Sequence, residues 1–237
     1  MNKLTLSASR IKLYQSCRAT YHDQYILKNV QPLNTSALMG SALHKAIEYN
    51  YRFLHDPVKG NPRRVFDTYM MRMYDYWNKS GKEFKEYESF MDLLKTGRGI
   101  LATFPWSDYR PLRQELAFEL PFTEHTGIKG YIDMIDNGSF VDFKSAKNPP
   151  KDLQNDTQFI MYAWAYRQIY HMWPHNGIWH HLRTNEQIEF VIFHGEIKRQ
   201  IEQLKVLAET IYADTFKDVI PCAKCPPWCK FKKVPKA

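Results

Sequence analysis

No run of apolar residues in the 237-residue sequence approaches the roughly 18 that a membrane-crossing helix needs. The opening MNKLTLSASR lacks the apolar core of a secretory leader. A soluble, cytoplasmic protein that does not engage a membrane is therefore expected. Cysteine is scarce, with four in the chain, and in a reducing compartment Cys17, Cys222, Cys225 and Cys229 point to metal or redox ligation before disulfides. There is no internal repeat and no low-complexity tract, which excludes a repeat array. Acids are outnumbered, 25 against 33 Lys and Arg, and the formal charge of +8 favours a polyanionic partner such as nucleic acid.

What is present divides into a helical half and a mixed half. Ser or Asn ahead of apolar-periodic segments predicts helices near 7–28, 37–55, 62–79 and 83–104. The register changes at PLRQELAFELPF, where Leu116, Phe118 and Leu120 alternate with Glu115, Ala117 and Glu119 in the period of a strand. Further strands are expected near 127–136 and 139–144, joined by Asn137-Gly138, which both tolerate the positive φ of a two-residue turn. A helix near 151–173, the strands GIWHHLRT and QIEFVIFH, and a helix near 196–216 follow. The tail from Lys217 has six Lys, one acid and four of the thirteen prolines, without periodicity. One α/β domain over 1–237 is the expectation: a helical part (1–104), a core (111–194) and a loop-built tail (217–237).

The charge within GYIDMIDNGSFVDFKSAK carries the chemistry. Side chains on a strand alternate faces, so Asp142 and Lys144 share one, with Phe143 opposite. Pairing about Asn137-Gly138 sets Asp133 across from Asp142, two like charges that repel unless a cation lies between them. A hard divalent ion held by oxygen ligands resolves the conflict, and Lys144 beside it can position a water and stabilise charge on a phosphate oxygen. Asp136 belongs to the turn, and Lys147 to a solvated exit.

These residues resemble the core of the PD-(D/E)XK nuclease superfamily, in its RecB-like branch, with Asp133 as the first acid and Asp142-Phe143-Lys144 as D-x-K. Gly40 and His44 match the branch's helical G-x-x-x-H, with Glu48 on the same helix side as His44. Glu115 matches an acid on the preceding strand, with Glu119 as competitor, and Gln158 and Tyr162 match Q-x-x-x-Y. The resemblance implies a restriction-endonuclease-like fold, a central mixed sheet flanked by helices. It also implies Mg²⁺ or Mn²⁺ held by His44, Asp133, Asp142 and the Phe143 carbonyl. Lys144 would then be catalytic, Glu115 would support it or a second ion, and Gln158 and Tyr162 would orient DNA.

One cysteine before these motifs and three after them, C-x2-C-x3-C, is similar to the iron–sulfur members of the branch, the CRISPR-associated exonucleases and AddAB-type nuclease domains. SASRIKLYQSCRATYHDQY is similar to their opening helix. The gap before the last cysteine is shorter than is usual there. The resemblance implies a 4Fe-4S cluster tying the tail to Cys17, with zinc as the other reading. It further implies exonuclease action on single-stranded DNA ends in a bacterial, archaeal or phage-infected cell. A homo-oligomer, or a helicase, recombination or CRISPR partner, is compatible with it. Tyr14, Tyr21 and Trp228 are candidates to stack on bases. A catalytically inactive or zinc-stabilised DNA-binding or adaptor protein of the same fold is the alternative.

Overall fold

The computed structural model describes residues 3–29, 35–79, 89–146, 148, 150 and 152–217. The chain opens with strand β1 (Leu4–Leu6), then α1 (Ala8–Ser16), α2 (Arg18–Tyr21) and a π-helical turn at His22–Ile26. Three long helices come next: α3 (Thr35–Arg52), α4 (Pro62–Lys79) and α5 (Phe90–Thr103). The mixed half runs β2 (Pro111–Pro121), β3 (Thr126–Asp136), β4 (Ser139–Lys144), α6 (Thr157–Tyr170), β5 (Asn176–His181), β6 (Glu186–Val191) and α7 (His194–Ala213).

These strands form one mixed six-stranded sheet, β1-β3-β4-β5-β6, with β2 also on β3. β2 pairs antiparallel along nearly all of β3. The other edge of β3 is shared: β1 runs parallel to Thr126–Ile128, and β4 runs antiparallel to Met134–Asp136. Between those two contacts β3 and β4 diverge, and Asp133 sits at the fork. β4 then pairs parallel with β5, which reverses into β6.

Helices cover both faces, and the alternation of the hairpin decides which residue meets which layer. Ile135 and Phe140 pack with Phe159 and Tyr162 of α6 and Ile201 of α7. Met134, Val141 and Phe143 pack instead with Leu43 and Ile47 of α3 and Leu101 of α5. Phe140 and Phe143 are essentially buried, each worth roughly 2–3 kcal/mol of transfer free energy. The expected architecture, a mixed sheet between helices, is the one observed.

Several boundaries differ from the sequence expectation. The first helix is two, because Cys17 turns extended (φ −159°, ψ 99°) and its sulfur accepts from the amide of Thr20, capping α2. α5 begins at Phe90 behind its cap Ser89, with 80–88 outside the described residues. α6 begins at Thr157, not near 151, because the Asp156 carboxylate accepts from the amides of Gln158 and Phe159. β1 was not foreseen, since three residues are too few for alternation to register.

The β3–β4 turn has φ of 44° at Asn137 and 79° at Gly138, the left-handed pair of a type I′ hairpin. A Cβ on Gly138 would also lie 2.8 Å from the His175 ring. Gly138→Ala should therefore lower unfolding free energy by about 1–2 kcal/mol in urea titration, whereas Asn137→Gly should be tolerated within about 0.5 kcal/mol.

Candidate metal centre

The hairpin register places the acids. Asp136, Ile135 and Met134 pair with Ser139, Phe140 and Val141, so the next position in that register sets Asp133 opposite Asp142. On the other edge of β3, Gln114 pairs with Met134 and Leu116 with Ile132, which brackets Glu115 at the level of Asp133. Three carboxylates thus form a row across three neighbouring strands. Glu115 holds φ of 45° inside a strand, a left-handed conformation that costs a side-chain-bearing residue about 1–3 kcal/mol.

α3 and α6 approach this row from different sides. His44 Nδ1 lies 3.4 Å from Asp133 Oδ1. Ligand atoms of His44, Glu115 and Asp133 all lie within 4.8 Å of one another. The approach of α3 depends on Gly40, where a Cβ would stand 2.9 Å from Ser145 Oγ at the end of β4. Where β4 leaves β3, the Phe143 amide donates to Asp133 Oδ2 (2.8 Å), so a side chain replaces the lost backbone partner.

On the α6 side, Lys144 Nζ donates to Asp142 Oδ1 (2.9 Å) and Gln158 Oε1 (3.3 Å). Gln158 Nε2 donates to Asp142 Oδ1 (3.0 Å) and to the Tyr162 hydroxyl (2.6 Å). Asp142 has no exposed side-chain surface. Its Oδ2 lies 2.9 Å from Lys144 Nζ yet receives no directed hydrogen bond, leaving a buried carboxylate oxygen with unused acceptor capacity.

The electrostatics follow from this crowding. Burial disfavours the His44 imidazolium, but the adjacent Asp133 charge outweighs it and pushes the pKa up to about 9. Burial opposes ionisation of Asp133 too, and His44, Lys144 and the Phe143 amide reverse that, holding it below the usual carboxylate range. Asp142 goes the other way, raised to about 6 by burial and by Asp133 despite Lys144. Glu115 is raised by burial and by Asp133. Lys144 is held protonated, its burial overcome by Asp142 and Asp133.

The residues expected at the site divide as follows. His44, Glu115, Asp133, Asp142, Lys144, Gln158 and Tyr162 are brought together, with Phe143 between the acids through its amide. Glu119 lies further along β2, opposite Lys129, and accepts from Thr5 Oγ1 (3.2 Å), away from the row. Glu48 is buried and engaged by Lys45 and Arg52. Asp136 ends β3 and accepts the Arg110 amide. Cys17 is buried, and Cys222, Cys225, Cys229, Trp228 and Lys147 lie outside the described residues. Tyr21 does not suit base stacking, because it is buried with its ring flat against Phe216 and edge-on to Tyr14. Asp156 was missed: it caps the helix that carries Gln158 and Tyr162, and pairs with Lys12 (2.7 Å). Its signal was legible as an Asp directly before an apolar helix.

A model of the PD-(D/E)XK nuclease superfamily matches residues 5–234. The chain belongs to that superfamily. The crystal structure of a candidate exonuclease from Eubacterium rectale aligns over 100% of this chain and 91% of its own, with 14% identity and a TM-score of 0.62, and has the same fold. The structure of SSO0001 aligns over 80% of this chain and 83% of its own, at 13% identity and a TM-score of 0.27. No curated protein matches the sequence. Members of this superfamily are nucleases that use divalent metals, and the hard oxygen and imidazole donors here, with a spare buried oxygen on Asp142, suit such an ion.

Two outcomes follow. Protons compete with a metal for His44 and Asp142, so Mn²⁺ affinity measured by calorimetry should rise with pH. The rise should be at least about tenfold per unit between about 6 and about 9, where His44 must deprotonate, and steeper below about 6, where Asp142 competes as well. Glu115→Gly relieves the left-handed strain and removes a buried repelled carboxylate, so it should raise the thermal midpoint by about 2–4 °C while weakening Mn²⁺ binding.

Proposed function

We propose that this superfamily member is a divalent-metal-dependent deoxyribonuclease that hydrolyses phosphodiester bonds at single-stranded ends. The observation carrying this reading is the buried acidic pair at the β3–β4 fork, kept together with His44, Glu115 and Lys144. A packed core has no physical use for like charges so placed, and the Asp133 charge adds to burial in pushing Asp142 up. His44, Asp133, Asp142 and the Phe143 carbonyl would hold Mg²⁺ or Mn²⁺, and Glu115, whose ligand oxygen lies with those of His44 and Asp133, would join them. When bound, the ion supplies Lewis acidity to the scissile phosphate and to the attacking water.

The protein's own groups do the rest. Lys144, held protonated by Asp142, acts as a fixed positive charge that orients the nucleophile and stabilises charge developing on the phosphate, not as a base. Gln158 ties Lys144, Asp142 and the Tyr162 hydroxyl into one array, which fixes the ammonium and leaves the α6 face to orient DNA.

A 4Fe-4S cluster on Cys17, Cys222, Cys225 and Cys229 is part of the same reading. Its support is local: the Arg18 guanidinium and the Tyr14 hydroxyl both donate to Asp214, and Phe216 stacks on Tyr21 and His22. The chain therefore leaves α7 against the helices that flank Cys17. Anaerobically purified protein should be brown, with absorbance near ~400 nm that Cys17→Ser removes, and a colourless zinc protein would replace that assignment.

The activity test uses end-labelled linear and circular single-stranded DNA with Mn²⁺. Linear DNA should be degraded and circular DNA spared, and Asp142→Asn should slow cleavage by at least ~10²-fold while still binding DNA. Unchanged cleavage by that variant would sink the reading.

A further inference from the structure

Next to the acidic row a basic groove leads away from it between α3 and α4. Its near end, about 300 Å³, is lined by Gly40, Ser41, His44, Lys45 and Glu115, and so opens on the metal centre itself. Lys45 is shared with the outer part, about 370 Å³, where Tyr49, Lys59, Arg64, Tyr69 and Arg72 are further lining residues. The helical periods explain the alignment. Lys45 and Tyr49 are one turn apart on α3, while Arg64, Thr68 and Arg72 recur every four residues on α4 with Tyr69 alongside.

The charge of this groove is only partly compensated. Lys45 is paired with Glu48 (2.5 Å) and Lys59 loosely with Asp56 (3.6 Å). Arg64 and Arg72 are exposed and have no carboxylate partner among the described residues, and the acids of α4 are taken: Asp67 by Arg98 and Asp75 by Lys79. Exposed cations that line a groove without internal partners are left available to an anionic ligand. The two half-buried tyrosines set between them, with Lys45 Nζ 5.5 Å from the centroid of the Tyr49 ring, add flat apolar faces. A ladder of cations with interleaved aromatic rings fits a flexible polyanion that carries its own π faces. A duplex offers the phosphates but keeps its bases stacked.

We propose that the α3–α4 groove is the track along which single-stranded DNA reaches the metal centre, its phosphates on Lys59, Arg64 and Arg72 and its bases against Tyr49 and Tyr69. The proposal rests on the nuclease reading for its purpose but not for its test, because binding is measured without metal. The probe is a fluorescein-labelled single strand of about 20 nucleotides in EDTA, followed by anisotropy over a salt series.

For K59Q/R64Q/R72Q, each lost phosphate contact should flatten the plot of log affinity against log salt by roughly 0.7, about 2 in all, and weaken binding about fivefold per contact at 0.1 M salt. Y49L and Y69L should each weaken single-strand binding about fivefold or more and leave duplex binding unchanged. The comparison variant K198Q/R199Q/K205Q lowers the net charge equally on α7, which packs on α6 and β3, and should keep wild-type affinity and slope. An unchanged slope in the groove variant, an equal loss in the α7 variant, or duplex bound as tightly as single strand with no effect of the tyrosines would each overturn the proposal. Retained groove-dependent binding by a wild-type protein that Mn²⁺ cannot activate would support the track and overturn the nuclease reading, so the two failures are distinguishable.

Discussion

The structure is organised around a repulsion. Glu115, Asp133 and Asp142 stand level on three adjacent strands, and the Asp133 charge is felt by both of the others. The neighbourhood supplies His44 and Lys144, while Lys45 beside Glu115 is already paired with Glu48, which leaves the cluster one charge short of neutrality even with both protonated. The shortfall is why the acids behave unequally. Asp133, next to His44 and the Phe143 amide, stays ionised, while Asp142 and Glu115 are pushed up. A divalent ion that displaced the His44 proton would, with Lys144, balance the three carboxylates, so the cluster is better matched electrostatically to a bound metal than to protons.

Holding that row costs structure, and the costs are visible nearby. β4 cannot continue its ladder with β3 past Met134–Val141, because the space between the strands is given to the Asp133 side chain, which takes over the Phe143 amide. Glu115 reaches the same level only through a left-handed residue inside β2. The helices then follow from the need to deliver compensating groups. α3 comes close enough to place His44 because position 40 has no side chain to meet Ser145. α6 starts at Thr157 behind its cap Asp156, and that start brings Gln158 and Tyr162, one turn apart, over Asp142 and Lys144.

Much of this is legible in the sequence, for reasons that differ by residue. Asn137-Gly138 admits one turn geometry, so the strand pairing, and with it the juxtaposition of Asp133 and Asp142, follows by counting. Gly40 and His44, or Gln158 and Tyr162, were legible as helical spacings, but neither spacing says which strand the helix faces. The choice between Glu115 and Glu119 was not legible, because an alternating strand treats them alike. What separates them is the left-handed backbone at Glu115 and the involvement of Glu119 with Thr5 on β1, a strand too short for its sequence to announce. The break at Cys17 was hidden likewise, since ASRIKLYQSCRATY has the composition of an uninterrupted helix. There the sulfur caps α2, a local hydrogen bond that propensity does not register.

That break also bears on how the two ends of the chain are joined. Arg18, on the far side of Cys17, and Tyr14, on the near side, converge on one acid, Asp214, and hold its carboxyl down at about 2. Phe216 then lies flat on Tyr21 and His22. The ends are thus already docked through an ion pair and an aromatic stack before the cysteine-rich tail begins. Thiolate ligation between Cys17 and that tail would lock a closure that packing has started, which relieves the metal of having to nucleate it. By the same logic, loss of such a metal would loosen the tail before it disturbed the acidic row, because the row is carried by β2, β3 and β4 and its direct partners are His44, Lys144, Gln158 and the Phe143 amide, not Asp214.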